Sequence, residues 1–227
     1  MEDDEEGRQG IGGECMILRH TKAVRMIHWS IALSIFLLFF SGFGQMPLYK
    51  RYMLTDIVPW TGDYWLTLYL HYLGAVVLMT AVGWHAVFHG IRKETGLLPR
   101  SGDLQESVQI IKAMITGGKE PPSDKYLAEQ RLAYAYIAFT VGLLIVTGVV
   151  KVIKNLDFNL NDSLLFWSTQ MHNLGSVLLL FGIIAHLAAF IPAANRKLLP
   201  SMFHGKVDEE YVKHRHSIWY KRLKKDS

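Results

Sequence analysis

Four stretches of this chain are too long and too evenly apolar to be ordinary surface helices: residues 27–43, 66–88, 132–150 and 164–191. A helix rises about 1.5 Å per residue, so roughly 17–25 apolar residues carry it across about 30 Å of hydrocarbon. The first and last stretches meet that span with flanking residues or some tilt. Soluble helices carry a polar face, and LSIFLLFF at 33–40 and LLIVTGVV at 143–150 have none. Half of the 227 residues are hydrophobic and only 19% are charged. The expectation is an all-α integral membrane protein with four transmembrane helices, its main partner the lipid bilayer.

The basic residues orient it. Lys plus Arg number four before the first stretch, seven across 89–131 and nine after 191, against Lys50 and Arg51 in the first connection and Lys151 and Lys154 in the third. The positive-inside bias puts both termini and the 89–131 loop in the cytoplasm, with 45–64 and 151–163 outside. Trp60, Tyr64, Trp65 and Trp167 fit aromatic anchoring on that outer side. Because these charges border membrane segments, the net charge of +4 calls for no nucleic acid.

The acidic start MEDDEEGRQG lacks the basic n-region of a signal peptide and reads as a flexible extension over 1–18. The membrane domain then covers 19–200, followed by a basic tail over 201–227, in which His214 and His216 are expected to meet a partner. In the cytoplasmic loop, Leu104, Val108, Ile111 and Ile115 recur at helical spacing, with Ser101 as an N-cap candidate. That is the pattern of an amphipathic helix on the membrane surface or against a partner. Cys15 is the only cysteine. It can form no internal disulfide, and any iron–sulfur cluster belongs to another subunit.

Chemistry enters with the histidines. HYLGAVVLMTAVGWH at 71–85 and HNLGSVLLLFGIIAH at 172–186 each place two imidazoles fourteen positions apart in apolar sequence. The echo is too short to establish a duplication. Ionisable groups at membrane depth are costly and mark functional sites. Fourteen helical residues span about 21 Å and return the second side chain to nearly the same face. Each helix can therefore offer ligands at two depths, and bis-histidine ligation of haem iron leaves no open position while suiting electron transfer.

His71 and His172 enter their helices from the same side and form the natural pair for an outer haem. For the inner haem, His186 can pair with His85, which has the matching spacing, or with His28. Gly74 and Gly175 lack a Cβ and admit either a flat macrocycle or a neighbouring helix. The spans carry no repeated Cys, Asp or Glu set for zinc or a di-iron centre.

The order R-x-x-H-W at 25–29, a histidine entering the second helix at 71, H-x13-H at 172–186, G-K-V at 205–207 and H-x-H-x-x-W-Y at 214–220 resembles the cytochrome b subunits of respiratory formate dehydrogenases. Those subunits are in turn similar to the cytochrome b subunits of membrane nickel-iron hydrogenases. The resemblance runs from about Arg19 to Tyr220. It implies a four-helix dihaem cytochrome b bundle in a prokaryotic inner membrane, with two haem b groups: His71 and His172 on the outer one, His28 and His186 on the inner one, and Arg25 beside His28.

It also implies an iron–sulfur subunit, a formate dehydrogenase-like catalytic subunit, and an exchangeable menaquinone or ubiquinone near the inner haem. The family's Asn-Ala-Gly-Gln segment before the third helix is here Leu127-Ala128-Glu129-Gln130, so only Gln130 of its polar pair is kept. A quinol-oxidising, hydrogenase-type or thiosulfate reductase-type role, or a standalone haem b reductase, would draw on the same architecture.

Overall fold

The computed structural model describes residues 15–45, 58–156 and 158–225. The acidic start, and Pro47, Lys50 and Arg51 of the first outer connection, lie outside the described residues. Four helices are long and apolar enough to cross a membrane: α1 (Lys22–Gln45), α2 (Tyr64–Ile91), α4 (Ala128–Asn155) and α5 (Asp162–Ala188). Between α2 and α4 lies α3 (Asp103–Thr116). The chain divides into two compact units: residues 22–93, and residues up to 21 together with 94–227.

The first unit is the α1–α2 hairpin. Asp63 caps α2, its carboxylate accepting from the N–H groups of Trp65 and Leu66 at 2.9 and 3.1 Å. The helices meet along small and polar residues: Ser34, Ser41 and Gly44 on α1, and Thr67, Gly74 and Ala81 on α2, are buried, whereas Phe36, Val76 and Trp84 are exposed. That inversion suits lipid, because in hydrocarbon the large apolar side chains gain nothing by hiding and small residues let backbones approach. Trp60, Tyr64 and Trp65 are exposed, as aromatic anchors require.

The second unit contains the α4–α5 hairpin, built the same way, with Thr140, Thr147, Ser168, Gly175 and Gly182 buried between the helices. A Cβ at Gly182 would stand 2.8 Å from Cε1 of Tyr136, whose hydroxyl donates to the carbonyl of Leu178. α3 packs against the first turn of α4 through Ile110, which meets Leu127 and Ala128. Arg131 is 2% exposed and donates from Nε and Nη2 to Asp103, with Glu106 at 3.3 Å. These bonds hold the Asp103 carboxyl below the usual carboxylate range.

α3 docks through Asp103, Ser107, Ile110 and Ala113, a face about 100° around the helix from its Leu104, Val108, Ile111 and Ile115 stripe, which is exposed. Its start also differs from the sequence expectation. Gly102, at φ 93°, occupies the cap position in place of Ser101, and Asp103 Oδ2 accepts from the N–H of Arg100.

The flexible extension and the basic tail expected at the two ends are, where described, one folded cap. β1 (Met16–Leu18) pairs antiparallel with β2 (Lys206–Asp208), matching Ile17 with Val207. The short helices α6 (Ala193–Arg196) and α7 (Ser201–His204) precede β2, and α8 (Glu209–Arg215) and α9 (Ser217–Lys225) follow it. Leu198, Val207, Tyr211, Val212 and Trp219 form its apolar centre.

His216, expected to contact a partner, is fully buried inside this cap. Its Nδ1 bonds the carbonyl of Asp124 at 2.7 Å, and Arg19 donates to the carbonyl of Lys125 at 2.6 Å. Arg215 ties Glu120 to Asn195.

Candidate functional site

The histidine pairs keep the placement their spacing requires. His71 and His85 lie on the uninterrupted helix α2, and His172 and His186 on α5. His28 lies in the second turn of α1, three residues after a half-buried Arg25, with its ring edge-on to Trp29 at 5.4 Å. The ring of His85 lies 4.4 Å from that of His89, one turn further along, and His186 lies edge-on to Phe190 at 6.1 Å.

Two residues that sequence reasoning passed over define the surroundings of His71 and His172. On α1, the Ser41 hydroxyl stands 2.7 Å from the Leu37 carbonyl and 3.0 Å from Nδ1 of His71. On α4, the Thr147 hydroxyl stands 2.7 Å from the Leu143 carbonyl and 2.9 Å from Nδ1 of His172. A carbonyl only accepts, so each hydroxyl spends its single proton on the helix backbone. The hydroxyl oxygen must then accept from the imidazole, which puts the ring proton on Nδ1 in both histidines and leaves the lone pair on Nε2. That is the tautomer an axial metal ligand needs.

Beside each hydroxyl is a glycine. A Cβ on Gly42 would sit 3.4 Å from Cε1 of His71, and one on Gly148 would sit 3.4 Å from Cε1 of His172. Each imidazole thus lies against bare helix backbone. The signal was present in the sequence as LLFFSG at 37–42 and LLIVTG at 143–148.

Gly74 and Gly175 are occupied differently from the macrocycle approach considered for them. A Cβ on Gly74 would meet Leu38 Cγ at 3.1 Å, and one on Gly175 would meet Leu144 at 3.2 Å. The contacts described for both are helix to helix within one hairpin, with a leucine filling the space a side chain would take. Gln130 is also engaged, its Oε1 accepting from the N–H of Leu127 at 3.1 Å as part of the start of α4.

The two hairpins now read as repeats of one another. Ser34, Ile35, Ser41 and Gly42 recur as Thr140, Val141, Thr147 and Gly148, and Thr67, His71, Gly74, Leu78, Ala81 and His85 recur as Ser168, His172, Gly175, Leu179, Gly182 and His186. Nearly all are buried or make the matching contact. His28 breaks the repeat, since the corresponding position on α4 is Tyr134.

Comparison with known proteins gives the family. The chain is similar to the cytochrome b556 subunit of the nitrate-inducible formate dehydrogenase of Escherichia coli strain K12, at 22% identity over 213 residues covering 92% of this chain and 93% of that protein. The corresponding subunits of Escherichia coli O157:H7 and Shigella flexneri match to the same extent. The model of the family described as prokaryotic cytochrome b561 matches residues 19–205. With its four apolar helices and that match over most of its length, the chain belongs to the prokaryotic cytochrome b561 family, four-helix dihaem b bundles that serve as membrane electron-transfer subunits.

Proposed function

We propose that this subunit carries electrons across a prokaryotic cytoplasmic membrane between an iron–sulfur partner and the quinone pool. His71 and His172 ligate the outer of two b haems, and His28 and His186 the inner one. The observation that carries the reading is the matched pair of hydroxyl-to-imidazole bonds: two histidines 101 positions apart in sequence are held in the same tautomer by equivalent residues of two repeated hairpins. A histidine kept only for packing has no need of a fixed Nε2 lone pair.

When bound, haem supplies reversible one-electron chemistry. The chain supplies ring orientation through Ser41 and Thr147, close backbone at Gly42 and Gly148, and an apolar surround. Both termini and the 94–127 segment lie in the cytoplasm, on the side of His28 and His186. There the amide nitrogen of Gln130 is a donor for a menaquinone or ubiquinone carbonyl, and Arg25 flanks the inner haem. The relatives being formate dehydrogenase subunits supports a formate-oxidising partner as the electron source.

The test is purification of the intact native complex with absorption spectroscopy and identification of its subunits. Two reducible low-spin b haems and a co-purifying iron–sulfur protein are expected. A haem-free preparation would overturn the reading.

A further inference from the structure

We propose that Ser41 and Thr147 are positioning residues that jointly set the redox potential of one haem, the outer one. The inference rests on the ligand assignment above and goes beyond it, because it assigns a role to two residues outside the proposed ligand set.

Each hydroxyl is a relay with its direction fixed. Its proton is committed to a carbonyl one turn back, at 2.7 Å in both helices, so its oxygen presents a lone pair to Nδ1–H. Accepting that proton increases the basicity of the imidazole and its donation to iron, which favours the ferric state. A hydroxyl is a weaker acceptor than the carboxylate often found behind metal-bound histidines, so the effect is moderate and depends on the hydroxyl being present. Removing it takes away the acceptor that Ser41 or Thr147 offers to Nδ1–H beside Gly42 or Gly148 and loosens the hold on the ring.

The protein contains its own control. Ser34 and Thr140 are buried hydroxyls one heptad earlier on the same two helices, 3% and 0% exposed. Both also donate to a backbone carbonyl of the preceding turn, Ser34 to Ile31 and Thr140 to Tyr136 or Ile137. They repeat the burial and the helix back-bond of Ser41 and Thr147, and differ in that a histidine Nδ1 is bonded to the latter pair.

The experiment is a spectroelectrochemical titration of both haems in the intact membrane complex carrying Ser41→Ala, Thr147→Val, Ser34→Ala or Thr140→Val. Ser41→Ala and Thr147→Val are each expected to raise the midpoint of the same haem. A tenfold change in relative affinity for ferric and ferrous iron corresponds to about 59 mV for a one-electron couple. Ser41→Thr and Thr147→Ser, which keep the hydroxyl, are expected to restore the original value, and the two control variants to leave it in place.

Loss of that single haem from the apolar variants, with retention in the conservative ones, supports the proposal equally. It is overturned if the two variants shift different haems, if they shift neither, if the controls shift the same haem as far, or if both haems are lost together. Failure of the ligand assignment is separate and would be visible in the unsubstituted complex as the absence of two bis-histidine haems.

Discussion

Gly182 is the residue with the least freedom in the α4–α5 hairpin. The ring it would strike belongs to Tyr136, whose hydroxyl is bonded to the Leu178 carbonyl at 2.8 Å, so the ring cannot swing aside without losing that bond. Gly182→Ala is expected to cost about 1–3 kcal/mol, the usual range for overpacking. Thermal unfolding in detergent measures it, and adding Tyr136→Leu should recover much of the loss. Arg131 and Asp103 are each 2% exposed. Arg131→Met leaves a buried carboxylate without its guanidinium, a loss expected near 3–5 kcal/mol, which should appear as early proteolysis within 94–127. In the sequence Arg131 is one of the basic residues bordering the third apolar stretch. Its partner lies 28 positions away on another helix, and no local spacing rule reaches that far.

Among the elements, the cap around α8 and α9 has built-in pH sensitivity. His216 is pushed down to about 4 by burial, with Arg19 and Arg215 adding to the effect and the Asp124 carbonyl opposing it. The folded cap therefore resists protonation of a group that titrates near 6.5 once unfolded. Stability is full above pH 6.5 and falls as pH drops towards 4, by about 3 kcal/mol over the window, since each unit is worth about 1.4 kcal/mol. Glu209 meets that window only at its lower end. Hydrogen bonds from the Cys15 thiol and the Tyr220 hydroxyl draw it to about 2, so its contribution is full above its ordinary value of 4.5 and is lost as pH falls from there towards 2. Protection factors across 206–225, taken relative to the slower intrinsic amide exchange at low pH, should fall between pH 7.5 and pH 5, and His216→Asn, which keeps a donor for the Asp124 carbonyl, should flatten the dependence. Sequence reasoning read this segment as a basic tail because composition is all it offers locally. The fold depends on β1, the 119–127 segment and α9 meeting across about 200 positions. Periodicity did mark the apolar stripe of α3, which stands exposed, but it does not say which neighbour is present, and Asp103 and Ile110 meet α4 on an adjacent face that the pattern did not mark.

For the molecule as a whole, the four spans were legible because membrane thickness imposes a length that composition reveals directly. The likeness of the two hairpins was only partly legible, because beyond the histidine spacing it is written in small residues, hydroxyls and glycines whose meaning appears only once each hairpin closes. That likeness bears on the inner haem. If the repeat alone dictated ligation, the inner pair would be His85 and His186, the counterparts of each other, just as His71 and His172 are. The proposed assignment to His28, which rests on the R-x-x-H-W resemblance, departs from that symmetry, since the counterpart of His28 is Tyr134. One hairpin then gives its inner ligand from its first helix and the other from its second. That assignment leaves His85, which lies ring to ring with His89, outside the proposed ligand set. His28→Ala is accordingly expected to remove one of the two b haems from the purified complex while His85→Ala retains both, with haem content read by pyridine haemochrome against protein. Retention in the first variant and loss in the second would return the inner site to the symmetry of the repeat.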